Sequence, residues 1–144
     1  IPFSPDGNSV PERIPDLVAE MQKGYEMVIV SRYLPPAKSE DDDWLTGFGN
    51  WMFTKIINLL FGGEYTDALV MFRAFKLSLV KDVPRDIPRA GIEPLMTIRC
   101  AKHKLKVGEI PGDEPERLGG KRKMQPFLNG LDIFKLILIE FFAP

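Results

Sequence analysis

The fold is decided by residues 9–30, which read SVPERIPDLVAEMQKGYEMVIV. The first four, Ser9-Val10-Pro11-Glu12, have the pattern of a capping box with a proline in the first helical turn. Apolar residues then recur at helical spacing, and Gly24 is the expected end of the helix. The continuous apolar run at 27–30 predicts a strand that is buried on both faces. A helix followed by a buried strand is typical of an α/β layer fold.

Further elements are expected toward the C-terminus. A polar loop at 34–43 leads into residues 44–61, whose apolar face predicts a helix that ends at Gly62-Gly63. The other expected elements are an extended or mixed segment at 65–75, a proline-containing loop at 79–91, a short helix at 94–101, an edge or antiparallel strand at 105–110, a charged loop at 111–125 and an apolar helix at 127–142. Together they predict an α/β fold with a mixed sheet, flanking helices and a C-terminal amphipathic helix.

Composition is that of a globular protein and excludes some functions. The 144 residues are 44% hydrophobic and 27% charged, which suits one domain with a core. We assign residues 1–125 to this domain and 126–144 to the appended helix. The net charge of −1 gives no general attraction to nucleic acid, so no nucleic-acid partner is expected. The single cysteine, Cys100, excludes a disulfide framework and a zinc cluster and fits a cytosolic setting.

Two acidic or amide side chains lie near the N-terminus, between an expected strand end and an expected helix start. They are Asp6 and Asn8 in the segment FSPDGNS, residues 3–9. Ligands of α/β folds bind outside the carboxyl ends of strands, and a carboxylate there can hold Mg²⁺ or Mn²⁺ that bridges a diphosphate. The alternative is an Asx-turn that feeds a helix cap.

A second candidate site follows the buried strand directly at Ser31-Arg32-Tyr33. An arginine at a strand end can bind phosphate with two parallel hydrogen bonds. The alternative is a surface ion pair between Arg32 and the acidic loop at 40–43.

The third candidate is the loop just before the closing helix. Its cations are Arg117, Lys121, Arg122 and Lys123, and a glycine pair at 119–120 lets the backbone come close to a ligand. Such a cluster suits anionic head groups or a lipid phosphate. The alternative is a solvated charge run that its acidic neighbours offset.

The closing helix is strongly apolar, but three charged residues interrupt it and it is short for a membrane span. It could lie in a membrane interface or in the core. We expect Trp44 and Trp51, at helical spacing on the preceding apolar helix, to serve in packing.

Taken in chain order, these segments resemble the motifs of the family 2 glycosyltransferases, most closely those of the dolichyl- and polyprenyl-phosphate sugar transferases. The resemblance covers almost the whole chain. The family's Asp-x-Asp segment is similar to Ser4-Pro5-Asp6 with Asn8, its Gly-Ser-Arg strand end to residues 30–33, its serine- and asparagine-bearing helix to residues 46–50, its Asp-x-x-Ser-Gly-Phe-Arg segment to residues 67–73, its glutamate-bearing helix to Gly91-Ile92-Glu93, and its Arg-x-x-Gly-x-Ser-Lys loop to residues 117–123.

This sequence departs from the family pattern at several of those positions. Ser4 stands where the first Asp of the metal motif is expected, and Val70-Met71 replaces the usual Ser-Gly with larger residues. A cation replaces the serine of the basic loop. The βαβ unit that holds the nucleotide in this family would precede Ile1, so a missing N-terminal piece is expected.

The resemblance implies an inverting sugar transfer from a nucleotide-sugar donor on a GT-A fold, at the cytoplasmic face of a membrane. A metal ion held by Asp6, with Asn8 nearby, would neutralise the leaving diphosphate. A hydroxyl acceptor would need a general base, for which Asp67 and Glu93 are the candidates.

A lipid-phosphate acceptor would need cations instead of a base, and the basic loop together with Arg32 favours this acceptor. The isolated fragment is expected to be inactive without the nucleotide-binding unit. Two other functions stay open from the sequence: a non-catalytic module that docks on anionic membrane, and a nucleotidyltransferase.

Overall fold

The computed structural model describes residues 1–83, 91–119 and 125–143. Its regular elements are, in chain order, α1 (Ile14–Gln22), β1 (Met27–Ser31), α2 (Trp44–Phe61), β2 (Arg73–Phe75), α3 (Ile92–Lys102), β3 (Val107–Pro111) and α4 (Pro126–Phe142), with short 3₁₀ turns at Pro11–Arg13 and Leu77–Val80. The described residues therefore form the α/β fold that the sequence predicts, and the arrangement is consistent with part of a GT-A-like fold.

The sheet is mixed, and β1 is its central strand in the order β2-β1-β3. β1 runs antiparallel to β2, with Met27 opposite Phe75, and parallel to β3, with Met27 opposite Val107. Every residue of β1 is buried, as its unbroken apolar sequence predicts. β3 is an edge strand, as expected, and its pairing is parallel. The carboxyl ends of β1 and β3 therefore lie at the same edge of the sheet.

The start of the first helix differs from the capping box that the sequence predicts. Val10 precedes the 3₁₀ turn at Pro11–Arg13, and no side chain caps that turn or α1. The backbone of Val10 is extended (φ −86°, ψ 103°), so Ser9 lies one residue too far from the turn to act as its cap. Gly24 does follow the end of α1, with a left-handed φ of 88°.

The second helix has the predicted bounds, with identifiable residues at both ends. Asp43 is its N-cap, and the Asp43 side chain accepts a hydrogen bond from the Thr46 backbone N–H at 2.7 Å. Gly62 follows the helix with a φ of 75°, and its N–H donates to the Asn58 carbonyl. α3 begins at Ile92, two residues before the predicted start at 94.

Helices α2 and α4 pack against each other beside the sheet and bury only one stripe each. Phe53 and Ile57 of α2 enter the core together with Ile133 and Ile137 of α4. Trp44 and Trp51, which the sequence predicts to serve in packing, lie at the surface, 82% and 56% exposed, where each ring centroid is 5.9 Å from that of Phe48. Within the described ranges, none of the helices combines the length and apolarity that crossing a membrane requires.

Candidate functional site

The predicted N-terminal and strand-end residues meet at the edge of the sheet where β1 and β3 end. The segment that follows β1, the segment that follows β3 and the N-terminal residues around Asp6 surround a small cavity of about 100 Å³. Its polar lining includes Ser4, Asn8, Arg32 and Glu114. This is the position at which α/β folds bind ligands, because strand ends there leave polar backbone and loop residues facing a crevice.

Asp6 has contacts that keep its carboxylate ionised. Its Oδ1 accepts hydrogen bonds from the Ser4 hydroxyl at 2.5 Å and from the Asn8 backbone N–H at 3.5 Å, and Nη1 of Arg117 lies 3.7 Å from its Oδ2. The Ser4 hydrogen bond lowers the pKa of Asp6 most, partial burial opposes it, and the Asn8 N–H and Arg117 lower the pKa further. The contact with Asn8 resembles the Asx-turn of the alternative prediction.

The metal prediction for Asp6 fits these residues in one respect. No group of three or more His, Cys, Asp or Glu side chains that could hold a metal occurs within residues 1–83, 91–119 and 125–143. Mg²⁺ that is held mainly by phosphate oxygens and water needs only one or two carboxylates, however, and Asp6 supplies one. The Asn8 side-chain amide is engaged elsewhere, since Nδ2 donates to Oε1 of Glu114 at 3.4 Å.

Arg32 is buried and is surrounded by three carboxylates. Its Nε and Nη2 form a two-bond pair with Asp67 at 2.7 and 3.0 Å. Its Nη1 contacts Asp42 at 3.3 Å and Glu114 at 3.1 Å. Burial alone would lower the pKa of Arg32, but Asp67 and then Glu114 outweigh burial and raise that pKa well above its usual value. The alternative prediction of an ion pair with the acidic loop is therefore found, although inside the protein.

Ser31 and Asp67, two other predicted site residues, are fully buried beside Arg32. The Ser31 hydroxyl lies 2.5 Å from the Thr66 hydroxyl, and its oxygen accepts hydrogen bonds from the backbone N–H groups of Tyr33 and Leu34. Both oxygens of Asp67 are engaged by Arg32, and Oδ1 also accepts the Val70 N–H at 3.2 Å. These contacts give both residues a positioning role in this arrangement, and direct contact with an acceptor stays a prediction.

Arg117 is the one cation of the predicted basic loop that the structure describes, and it is docked on acidic residues. Its Nε and Nη2 contact Asp41 at 3.0 and 2.6 Å. The neighbouring Leu118 N–H donates to the Asp6 carbonyl at 2.9 Å, and the Leu118 side chain lies over Gly7. The predicted phosphate ligands Lys121, Arg122 and Lys123 lie outside the described residues.

Two segments far apart in sequence are joined next to Asp6. Ser39 and Glu114 form a parallel bridge, in which the Glu114 N–H donates to the Lys38 carbonyl and the Glu40 N–H to the Glu114 carbonyl. The Ser39 hydroxyl also donates to Glu114 Oε2 at 2.6 Å. The loop after β1 and the loop after β3 therefore form one polar layer above the candidate site.

Glu93, the second candidate base, lies on α3. It is in the first turn of α3 and half-buried, and its backbone carbonyl accepts from Arg73 Nη1 at 3.2 Å. Arg73 is completely buried, and its other acceptors include the Val70 and Ala68 carbonyls. Burial lowers the pKa of Arg73, and Glu93 and then Asp67 oppose that shift, so both candidate bases act on the same buried guanidinium. The role of Glu93 as a base stays a prediction.

The sequence reasoning missed two carboxylates that hold the site together. Glu114 links Arg32 to Asn8, and Glu109 accepts the backbone N–H groups of Thr66 and Asp67 at 3.0 and 3.2 Å. Glu114 lies in the charged loop that the sequence singled out for its cations. The sequence pattern assigns the acidic residues of that loop only the role of offsetting its positive charge.

Comparison with known proteins gives one informative similarity. The chain is 28% identical, over 145 aligned positions, to an undecaprenyl-phosphate 4-deoxy-4-formamido-L-arabinose transferase of Shewanella sediminis (strain HAW-EB3). The alignment includes all of this chain and 41% of the relative. No protein-family model matches the chain. The chain is therefore similar along its whole length to about two fifths of a curated prenyl-phosphate sugar transferase.

Proposed function

We propose that the protein containing this chain is a glycosyltransferase that moves a sugar from a nucleotide-diphosphate donor to a polyprenyl phosphate, with inversion. The observation that carries the proposal is the similarity along the whole chain to a transferase whose name specifies an undecaprenyl-phosphate acceptor. The site supports it, because an ionised carboxylate and an arginine lie at the carboxyl edge of the parallel strand pair.

In this proposal Asp6 holds Mg²⁺ or Mn²⁺, and Asn8 lies beside it as part of the same turn. The ion would neutralise the diphosphate as it leaves the sugar. The low pKa of Asp6 keeps the carboxylate available at neutral pH. Arg117 lies 3.7 Å from the Asp6 carboxylate, so it is placed to contact a phosphate that binds there.

The acceptor in this proposal is a lipid phosphate and not a hydroxyl group. A phosphate oxygen is already anionic, so the reaction would need cations near the acceptor and no general base. Asp67 is fully buried with both oxygens engaged by Arg32, which fits a reaction in which Asp67 does not take a proton. Lys121, Arg122 and Lys123 are close in sequence to Arg117 and are proposed to bind the acceptor phosphate.

The membrane surface is the proposed place of reaction, on the cytoplasmic face. Helices α2 and α4 expose large apolar side chains, among them Trp44 at 82%, Phe127 at 78% and Phe142 at 79%. Exposed patches of this kind mark interaction sites, and tryptophan is enriched where proteins meet the membrane interface.

The test is the substitution Asp6→Asn in the full-length protein, with Asp16→Asn as the control. Asp16 is an exposed partner of Arg13 on α1, so the control removes one carboxylate away from the site. We expect Asp6→Asn to lower the rate of sugar transfer in Mg²⁺ by about a hundredfold or more, since a bound cation contributes several kcal/mol. Thermal melting should be normal for both variants. Unchanged turnover of Asp6→Asn would remove Asp6 from the metal role.

A further inference from the structure

The cavity at the carboxyl edge of β1 and β3 has an apolar wall to which the proposed function gives no role. Polar side chains form one part of the cavity lining, and the apolar wall is formed by Val30, Val70, Met71 and Phe72. The cavity volume of about 100 Å³ is well below the roughly 300–1,000 Å³ of clefts that enclose a whole ligand. A cavity of this size therefore accepts one edge of a ligand, and the apolar wall contacts that edge.

A buried arginine holds the apolar wall in place. The Val70 carbonyl accepts hydrogen bonds from Arg73 Nε at 2.8 Å and from Arg73 Nη2. Nη1 of the same guanidinium donates to the Thr97 hydroxyl on α3 at 3.0 Å. Arg73 is completely buried, so a movement of Val70 would take a partner away from a buried charge, which is costly. The wall is therefore a fixed boundary that does not retreat from a ligand.

Val70 and Met71 offer a ligand little hydrogen bonding. Both lone pairs of the Val70 carbonyl are used by Arg73, and the Val70 N–H donates to Asp67 Oδ1 at 3.2 Å. Neither side chain carries a strong donor or acceptor. A ligand hydroxyl placed against these side chains would lose its water without gaining a partner, whereas a C–H or methyl group would bind there without that cost.

We propose that Val70 and Met71 determine donor specificity, and that they select a sugar with a deoxygenated edge, a C–H or methyl group in place of a hydroxyl. The inference rests on the proposed function and adds the chemical class of the transferred sugar. Ser4 and Asn8 line the same cavity and both contact Asp6, so a sugar joined to a diphosphate at Asp6 would lie beside the wall. A donor with a hydroxyl on that edge should bind about tenfold more weakly.

Two single substitutions in the full-length protein test the wall by changing its polarity more than its size. Val70→Thr replaces one methyl group with a hydroxyl, and Met71→Gln keeps an unbranched side chain of similar length. Met71 is 37% exposed, so a polar side chain is tolerated there even if Val70→Thr, at a site that is 9% exposed, disturbs folding. Leu77→Gln is the control, because Leu77 is 80% exposed and does not line the cavity.

The measurement is affinity by titration calorimetry in Mg²⁺, first for UDP, dTDP, CDP and GDP, to find the nucleotide that wild type binds. The probes are then the glucose conjugate of that nucleotide and its four analogues that each lack one hydroxyl group of the sugar. We expect wild type to bind one analogue about tenfold more tightly than the parent, and Val70→Thr and Met71→Gln to reduce this preference to about threefold or less. Leu77→Gln should keep the preference. The nucleotide alone should bind all the proteins equally, because it has no sugar.

Thermal melting checks that each variant is folded. If wild type binds no analogue more tightly than the parent, the wall does not select a deoxygenated edge and the inference is overturned. An unchanged preference in Val70→Thr and Met71→Gln would place the selection in other residues, and an equal loss in Leu77→Gln would point to a general effect on the fold. Binding of none of the nucleotides would overturn the proposed function as well. Failure of the proposed function alone is a different result: wild type would discriminate among the analogues as expected but transfer no sugar from any donor to undecaprenyl phosphate.

Discussion

At the scale of single residues, the site depends on how one buried cation is neutralised. Arg32 is 8% exposed and contacts Asp67, Asp42 and Glu114, which come from three separate segments of the chain. A buried charge without partners is very costly, so the native structure requires these segments to converge. Arg32 therefore fixes the geometry of the loops that surround the cavity.

Removing one partner of this cluster should destabilise the protein strongly. We expect Asp67→Asn to lower the free energy of unfolding by about 3 kcal/mol, because it leaves Arg32 less well compensated in a buried position. The control is Asp16→Asn, which removes the partner of Arg13 in a pair whose side chains are 41% and 51% exposed and should cost under about 1 kcal/mol. Urea unfolding measures both. Equal losses would show that burial does not strengthen the Arg32 pair.

Glu109 should make stability depend on pH. Burial raises the pKa of Glu109 above its usual value, although hydrogen bonds from Thr66 and from the Asp67 N–H partly oppose the rise. The folded state therefore keeps this proton at a pH at which the unfolded state has lost it. The contribution of Glu109 to stability should then fall as the pH rises from about 4.5, the ordinary pKa of a glutamate, through the raised pKa of the folded state.

The measurement is chemical unfolding across pH 4 to 8 for wild type, Glu109→Gln and the control Glu64→Gln. Glu64 is exposed, so it controls for the loss of one carboxylate. We expect Glu109→Gln to become more stable relative to wild type as the pH rises through this window. A constant difference would mean that Glu109 has the same pKa in both states.

The residue scale also shows what the sequence could not predict. Arg32 and its acidic loop were both visible in the sequence, but four acidic residues stand together at 40–43 and any of them could have been the partner. The partner in the structure is Asp42, and Asp67 and Glu114 join it from distant segments. Side chains that meet only through tertiary structure leave no local pattern.

At the scale of elements, the ends of α2 were predictable from the sequence because local chemistry determines them. Gly62 has a left-handed backbone at φ 75°, which suits glycine, and it ends the helix at the predicted place. The start of the first helix was not readable, because the serine of a capping box must lie at the cap itself and Val10 takes that position. Pattern alone does not fix the cap to the exact residue.

The same substitution at two glycines of one helix should have opposite effects. We expect Gly62→Ala to destabilise the protein by about 1 kcal/mol, because alanine is strained at positive φ. Gly49→Ala should stabilise it by up to about 1 kcal/mol, because Gly49 is inside α2 with no atom within 4 Å of a new Cβ. Thermal or urea unfolding of the two single variants decides this. A loss of stability in both would mean that Gly49 is needed for a reason other than space.

At the scale of the whole molecule, the fold class was predictable. Which face of α2 and of α4 packs against the core was not. A buried apolar strand next to an amphipathic helix specified the α/β class. The apolar residues of α2 and α4 form more than one stripe, and periodicity does not say which stripe meets the core. Trp44 and Trp51 therefore lie on the stripe that faces away from the core, where they form part of an exposed apolar surface.

The position of the candidate site was predictable for a related reason. Arg32 follows β1 directly, as the sequence predicts, whereas the strand expected before Asp6 is absent from residues 1–10. The segment of Asp6 reaches the carboxyl edge of β1 and β3 through Ser4 and Asn8, which line the cavity with Arg32. Glu93 is a candidate from the resemblance alone; it lies in the first turn of α3, and its role stays a prediction.

The central claim is that the protein transfers a sugar from a nucleotide diphosphate to a prenyl phosphate. In the most direct measurement, the full-length protein is incubated with Mg²⁺, undecaprenyl phosphate and a panel of labelled nucleotide-diphosphate sugars. The label that enters the lipid fraction is then measured. We expect label in the lipid with one donor, dependence on added prenyl phosphate, and loss of transfer in Asp6→Asn. Binding of prenyl phosphate with no transfer from any donor, by a protein that melts cooperatively, would contradict the claim.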